Sequence, residues 1–210
     1  MMPGPLNHSF NSVSIKYPWN VLTDKWEWCV LAITRRNFPE NVWTKPTNSS
    51  VLKHLDFLVA QLRYKRNFVA CFCEYPHYMK DLYFYIAATW MCAYKLTAEI
   101  ISVEDIREST GKFEVNRLDT FERTDLLILP YTDPENFNLK YTKEPLGRIF
   151  QKRRIMKKAT LIDMAMTKND QRTKAGERVM MNRISLLYGN QVSTAFGSKT
   201  SKFVIVNPED

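Results

Sequence analysis

The chain has 210 residues, 45% of them hydrophobic and 25% charged, with 6 glycines and 13% aromatics. This is the composition of a globular protein with one sizeable core, and it excludes a chain that is mostly disordered or low in complexity. A formal charge of +8 suits a polyanion or an acidic protein face as partner. The apolar stretch from Leu82 to Leu96 is broken by polar residues and too short to span a bilayer. Cys29, Cys71, Cys73 and Cys92 sit in apolar surroundings, which places the chain in a reducing, cytoplasmic compartment.

Residues 1–36 read as an N-terminal arm and helix, and 37–210 as the main domain. The arm carries Pro3, Pro5 and Pro18, with a short strand expected over Ser12–Tyr17. Thr23 and Asp24 cap a helix over Lys25–Arg36, with Trp26, Cys29, Val30 and Ile33 on one face. A Pro-containing linker, Asn37–Asn48, leads to a helix from Ser49 or Ser50 to Arg63. The run Phe68–Cys73 is a buried strand, followed by a turn with Pro76 and a helix over Asp81–Lys95. Further strands are expected at Ala98–Val103, Leu126–Leu129, Ala159–Met164 and Val192–Phe196, with a last edge strand at Phe203–Val206. Helices are expected from Glu104, over Val115–Arg123, Pro145–Lys158 and Ala175–Leu187. Apolar strands alternating with helices predict a parallel sheet covered on both faces.

The order strand, loop, helix around Phe68–Ala88 is that of a phosphate-binding loop. Set against G-x-x-x-x-G-K-[ST], the segment Glu74–Asp81 keeps the lysine as Lys80 but puts Glu74 and Met79 at the glycine positions and Asp81 at the hydroxyl position. Side chains at both glycine positions crowd the backbone nest that cradles an anion, and two acidic groups repel it. Taken alone, Lys80 is better explained as a solvated lysine at a helix start.

Downstream stretches resemble the DnaC/IstB-type AAA+ ATPases, the helicase loaders and transposition ATPases, over residues 37–205. Thr97–Ile106 resembles the family's second strand, and Thr124–Leu129 its Walker B strand. Gly147-Arg148-Ile149-Phe150 with Arg153 or Arg154, then Ala159–Ile162, resembles its helix and sensor-1 strand. Asn182-Arg183-Ile184 stands where the family has Asp-Arg-Leu, and Val192–Gly197 resembles the last strand and its glycine. The resemblance implies an α/β, P-loop-type parallel sheet in the order 5-1-4-3-2 with Phe68–Cys73 central. It also implies a trans-acting arginine at Arg183, with Arg178 nearby.

The departures fall on the catalytic inventory. Pro130 and Tyr131 occupy the Walker B acidic positions, with Asp133 as a displaced carboxylate, and Ala165 or Met164 occupies the sensor-1 position. The chain is therefore expected to be a degenerate AAA+ protein, a pseudo-ATPase that needs neither ATP nor Mg²⁺. It would act on a replicative helicase, a helicase loader or another AAA+ assembly. Lys80, Asp81 and Asp133 mark the former nucleotide site, and Arg178 and Arg183 the partner-binding side. Arg148, Lys152, Arg153, Arg154, Lys157 and Lys158 form a basic cluster able to meet DNA phosphates. An ATPase loader with an unorthodox site, and a basic nucleic-acid-binding module, are the competing readings. The histidines, His8, His54 and His77, fit neither a catalytic triad nor a metal-ligand spacing.

Overall fold

The computed structural model describes residues 17, 19, 45–111, 115–131, 142–165, 177–197 and 201–208. Asn48 caps the first helix, α1 (Ser49–Ala60), by accepting a hydrogen bond from the Ser50 amide at 2.8 Å; the chain continues through a π-helical turn, Gln61–Lys65. Strand β1 (Phe68–Cys73) is buried at every position. Helix α2 (Pro76–Ala88) follows after two residues, with Pro76 in its first turn, where a missing N–H costs nothing.

Strand β2 (Ala98–Ile100) is shorter than the expected Ala98–Val103. The cause is local. The Ser102 amide donates to Asp105 Oδ2 at 2.7 Å and the Asp105 amide donates to Ser102 Oγ at 3.0 Å. This reciprocal cap starts α3 (Val103–Gly111) at once. Then come α4 (Val115–Arg123), β3 (Leu126–Leu129), α5 (Lys143–Ile155), β4 (Ala159–Ala165), α6 (Glu177–Tyr188), α7 (Asn190–Phe196) and β5 (Ser201–Val206).

The sheet has the order β2-β3-β4-β1-β5 and all its pairs are parallel. That is the expected 5-1-4-3-2 arrangement with Phe68–Cys73 inside it. The fifth strand is not Val192–Phe196, however. That segment is α7, because Val192, Ala195 and Phe196 repeat at helical spacing and bury one stripe. Gly189 precedes it at φ 94°, a left-handed conformation that disfavours any other residue. The strand is Ser201–Val206, where Val204 and Val206 are buried and Lys202 and Ile205 are exposed.

Two apolar layers sandwich the sheet. Val69, Cys71 and Cys73 of β1 pack with α1 and α2, while Phe68, Ala70 and Phe72 pack with α5, α6 and α7. Helices α5 and α7 approach so closely that a Cβ on Gly147 would lie 2.2 Å from Gln191 Oε1. Of the N-terminal arm, Tyr17 is buried and stacks on Trp19 at 4.6 Å, and Trp19 meets the edge of Tyr85 on α2. The rest of the expected arm and helix, including Trp26 and Trp28, lies outside the described residues, as do Trp43 and Cys29. Among the described residues no helix is long and apolar enough to cross a membrane.

Candidate functional site

Parallel strands present their carboxyl ends on one side of the sheet, the side on which ligands sit in open α/β folds. There the molecule has a cavity of about 370 Å³ lined by His77, Lys80, Tyr83, Phe84, Ile100, Pro130, Tyr131 and Asp163. Helix α2 contributes His77, Lys80, Tyr83 and Phe84. The end of β2 gives Ile100, the end of β3 Pro130 and Tyr131, and β4 gives Asp163.

Lys80 thus lies where the sequence motif put it, exposed at the rim. The loop before it is short. Only Glu74 and Tyr75 separate β1 from α2, and the Met79 amide donates to the Tyr75 carbonyl at 3.3 Å, as part of the helix. Met79 itself is fully buried. Asp81 is exposed and faces Tyr85 rather than the cavity. Asp133 lies outside the described residues. Of the aromatics next to the loop and at the end of β3, His77 and Tyr131 line the cavity. Tyr75 is exposed, and the Tyr78 hydroxyl lies 2.8 Å from His54 Nδ1 instead.

The residue that sequence reasoning missed is Asp163. Along β4, Ile162 and Met164 point to one face and Leu161 and Asp163 to the other, so Asp163 lies under α2, in register with Cys71. It is 3% exposed, and its Oδ1 has no hydrogen-bond partner among the described residues. Burial pushes its carboxyl up to about 6, against the opposing pull of Tyr83 and of the Tyr131 and Met164 amides. Burial, reinforced by Asp163, likewise pushes the Cys71 thiol well up. The signal was present in the sequence as a lone acid inside the apolar run Ala159–Met164.

The basic cluster is less available than its sequence density implied. Arg153 is no surface cation: it is fully buried, because its guanidinium is needed to tie three chain segments together. It donates to the Phe121 and Thr124 carbonyls at 2.8 Å, to Thr160 Oγ1 at 2.9 Å and to the Ala159 carbonyl. Burial lowers its pKa to about 9. Arg148 and Lys152 both pair with the buried Glu122, at 3.3 and 2.6 Å. Lys158 pairs with Asp125 at 2.6 Å. Partial burial raises the Asp125 pKa, but hydrogen bonds from Lys158 and Thr97 outweigh it and hold the carboxyl below its usual value. Arg154 donates to the Thr194 carbonyl at 3.2 Å, and Lys157 is exposed in a left-handed turn at φ 54°. On α6, Arg183 is half-buried beside exposed Val179 and Leu186, and the Arg178 side chain lies outside the described residues. Among the described residues no cluster of three metal-ligating side chains exists.

No protein-family model matches the sequence, and no curated protein matches it. Solved structures do match the fold. The crystal structure of the DnaC helicase loader superposes with a TM-score of 0.59 at 10% identity, over 80% of this chain and 100% of that one. The chain shares the fold of the DnaC helicase loader. A candidate primosome component from Streptococcus pyogenes serotype M3 matches this chain with a TM-score of 0.54 at 13% identity, over 84% of this chain and 95% of that one. AMPPCP-bound DnaA from Aquifex aeolicus matches at 0.56 and 9% identity over 81% of this chain, which spans 51% of that protein's length.

Proposed function

We propose that this chain is a non-hydrolysing AAA+-type interaction protein. It engages a replicative helicase, a helicase loader or another AAA+ assembly in DNA replication or transposition. The observation that carries the loss of nucleotide chemistry is the start of α2 at Pro76, two residues beyond β1. The loop that cradles phosphate in a P-loop protein is here cut to Glu74 and Tyr75, and the Met79 amide is used within the helix. Pro130 and Tyr131 at the end of β3 can neither hold Mg²⁺ nor orient a water. The choice of partner class rests on the fold shared with the DnaC helicase loader. With no chemistry to perform, a chain of this fold acts through its surfaces. Arg178 and Arg183 on α6 offer charge to a neighbour's bound nucleotide.

ATP binding and turnover provide the test, together with capture of helicase and loader proteins from the native host. The expected result is no hydrolysis, no ATP binding in the micromolar range, and recovery of an AAA+ protein or helicase. Arg183→Ala should weaken that capture by ~1.5–3 kcal/mol, the range of a charge-assisted contact. The competing ATPase reading draws on one observation, that Lys80 and Asp163 share a cavity. Turnover that disappears in Lys80→Ala would establish it.

A further inference from the structure

The cavity under α2 has features that a phosphate site would not need. Its floor is a carboxylate, 3% exposed, with Oδ1 unpartnered among the described residues and the residue itself among those lining the cavity. Its walls are aromatic: His77, Tyr83, Phe84 and Tyr131, completed by Ile100 and Pro130. Aromatic faces attract organic cations through the negative face of the ring, more strongly when water is excluded. A buried carboxylate adds a charge-assisted hydrogen bond to any N–H donor that reaches it. A bare metal ion does not fit this description, since one carboxylate supplies too few ligands and no three-residue ligand cluster exists among the described residues. An anion would have to lie against Asp163.

We infer that the cavity binds an organic cation, a guanidinium or alkylammonium group on a slender apolar stem. The head would donate to the Asp163 carboxylate and the stem would pack between Tyr83 and Tyr131. Lys80, exposed at the rim, is a like charge that solvent screens, whereas Asp163 acts at short range in a water-poor setting. The inference deepens the proposed function: the site that in an ATPase would hold a nucleotide here holds a negative side chain, ready for a positive one. A free guanidine and the arginine of a partner protein share this chemistry.

Agmatine, and a short peptide with one central arginine, are titrated into the full chain by calorimetry, with the same peptide carrying citrulline as control. Both cationic probes should bind and the citrulline peptide should not. Tighter binding of the peptide marks a protein side chain as the occupant, and tighter binding of agmatine marks a free guanidine. The groups facing Asp163 are Cys71 and Cys73 on β1, His77, Lys80 and Tyr83 on α2, Tyr131 after β3, and Tyr188 on α6. With the carboxyl at about 6, affinity should fall about tenfold between pH 7.5 and pH 5. His77→Gln should keep that fall and Asp163→Asn should abolish binding. Ile100→Trp, which fills the cavity and leaves Asp163 in place, should also abolish it. Lys80→Ala should strengthen binding a few-fold; at a phosphate site it would weaken it. Failure of both probes, equal binding by Asp163→Asn, or weaker binding by Lys80→Ala overturns the assignment. The ATP measurement decides the non-hydrolysing reading separately, so either idea can fail alone.

Discussion

Strand β4 carries a buried charge at each end, and the two ends are built differently. At its amino end lies Arg153, from the preceding helix. Every side of its guanidinium is occupied: Phe121 and Thr124 carbonyls, Thr160 Oγ1 and the Ala159 carbonyl. At its carboxyl end lies Asp163, as deeply buried, with one oxygen unpartnered among the described residues and a cavity beside it. A buried ion whose hydrogen-bonding capacity is fully used is part of the scaffold. One that is left short costs stability, and folds keep such costs at sites that bind.

The contrast is broken or sharpened by substitution. Arg153→Met should produce the largest effect, a loss of about 3–5 kcal/mol in denaturant unfolding, since five acceptors lose their donor in the interior. Arg153→Lys should recover only part, because an ammonium cannot span the same fork.

Asp163→Asn should move the other way. A carboxyl raised from 3.8 to about 6 in the folded state binds its proton more readily there than in the unfolded chain. Its ionisation therefore costs the fold up to about 3 kcal/mol, in full above pH 6 and fading as pH falls towards 3.8. The variant should melt higher than wild type at pH 7.5, and the gap should close by pH 4. A lower melting temperature at pH 7.5 would put Asp163 in the scaffold beside Arg153.

Thr160→Val removes one acceptor of the Arg153 clamp and keeps the shape of the strand residue. A loss of ~1.5 kcal/mol in urea unfolding is expected, smaller than that of Arg153→Met. The smallest effect belongs to Lys157, between the clamp and β4. At φ 54° it holds a conformation that favours glycine. Lys157→Gly should stabilise by ~0.5–1 kcal/mol and leave the cavity unaffected, as a thermal melt and an agmatine titration would show.

The sheet was legible because parallel strands buried on both faces appear as apolar runs. Phe68–Cys73, Leu126–Leu129 and Ala159–Met164 needed nothing more, and their order came from the likeness to helicase loaders. Val192–Phe196 failed because Val192 and Phe196 fit both periods, and its packing against α5 and α6 selects the helix. β5 was harder to see since only Val204 and Val206 are buried. At the site, Lys80 was legible as a motif position. Asp163 was not, because nothing in the sequence says which face of β4 the α2 helix covers. The basic cluster misled for the opposite reason: its positive charges are contiguous in sequence, but the partners of Arg148, Lys152 and Lys158, namely Glu122 and Asp125, come from another segment.

The pairing of β1 has a consequence for the order of assembly. Its neighbours are β4, where Phe68 stands opposite Thr160, and β5, where Phe68 stands opposite Ser201. Neither is near in sequence, so the central strand closes only after long loops have been brought together, which slows folding. On the ribosome, Phe68–Cys73 and its two thiols would wait, open on one edge, until Ser201–Val206 emerges. A nascent chain arrested before that point should be sensitive to thiol alkylation at Cys71 and Cys73, and the released protein should resist it.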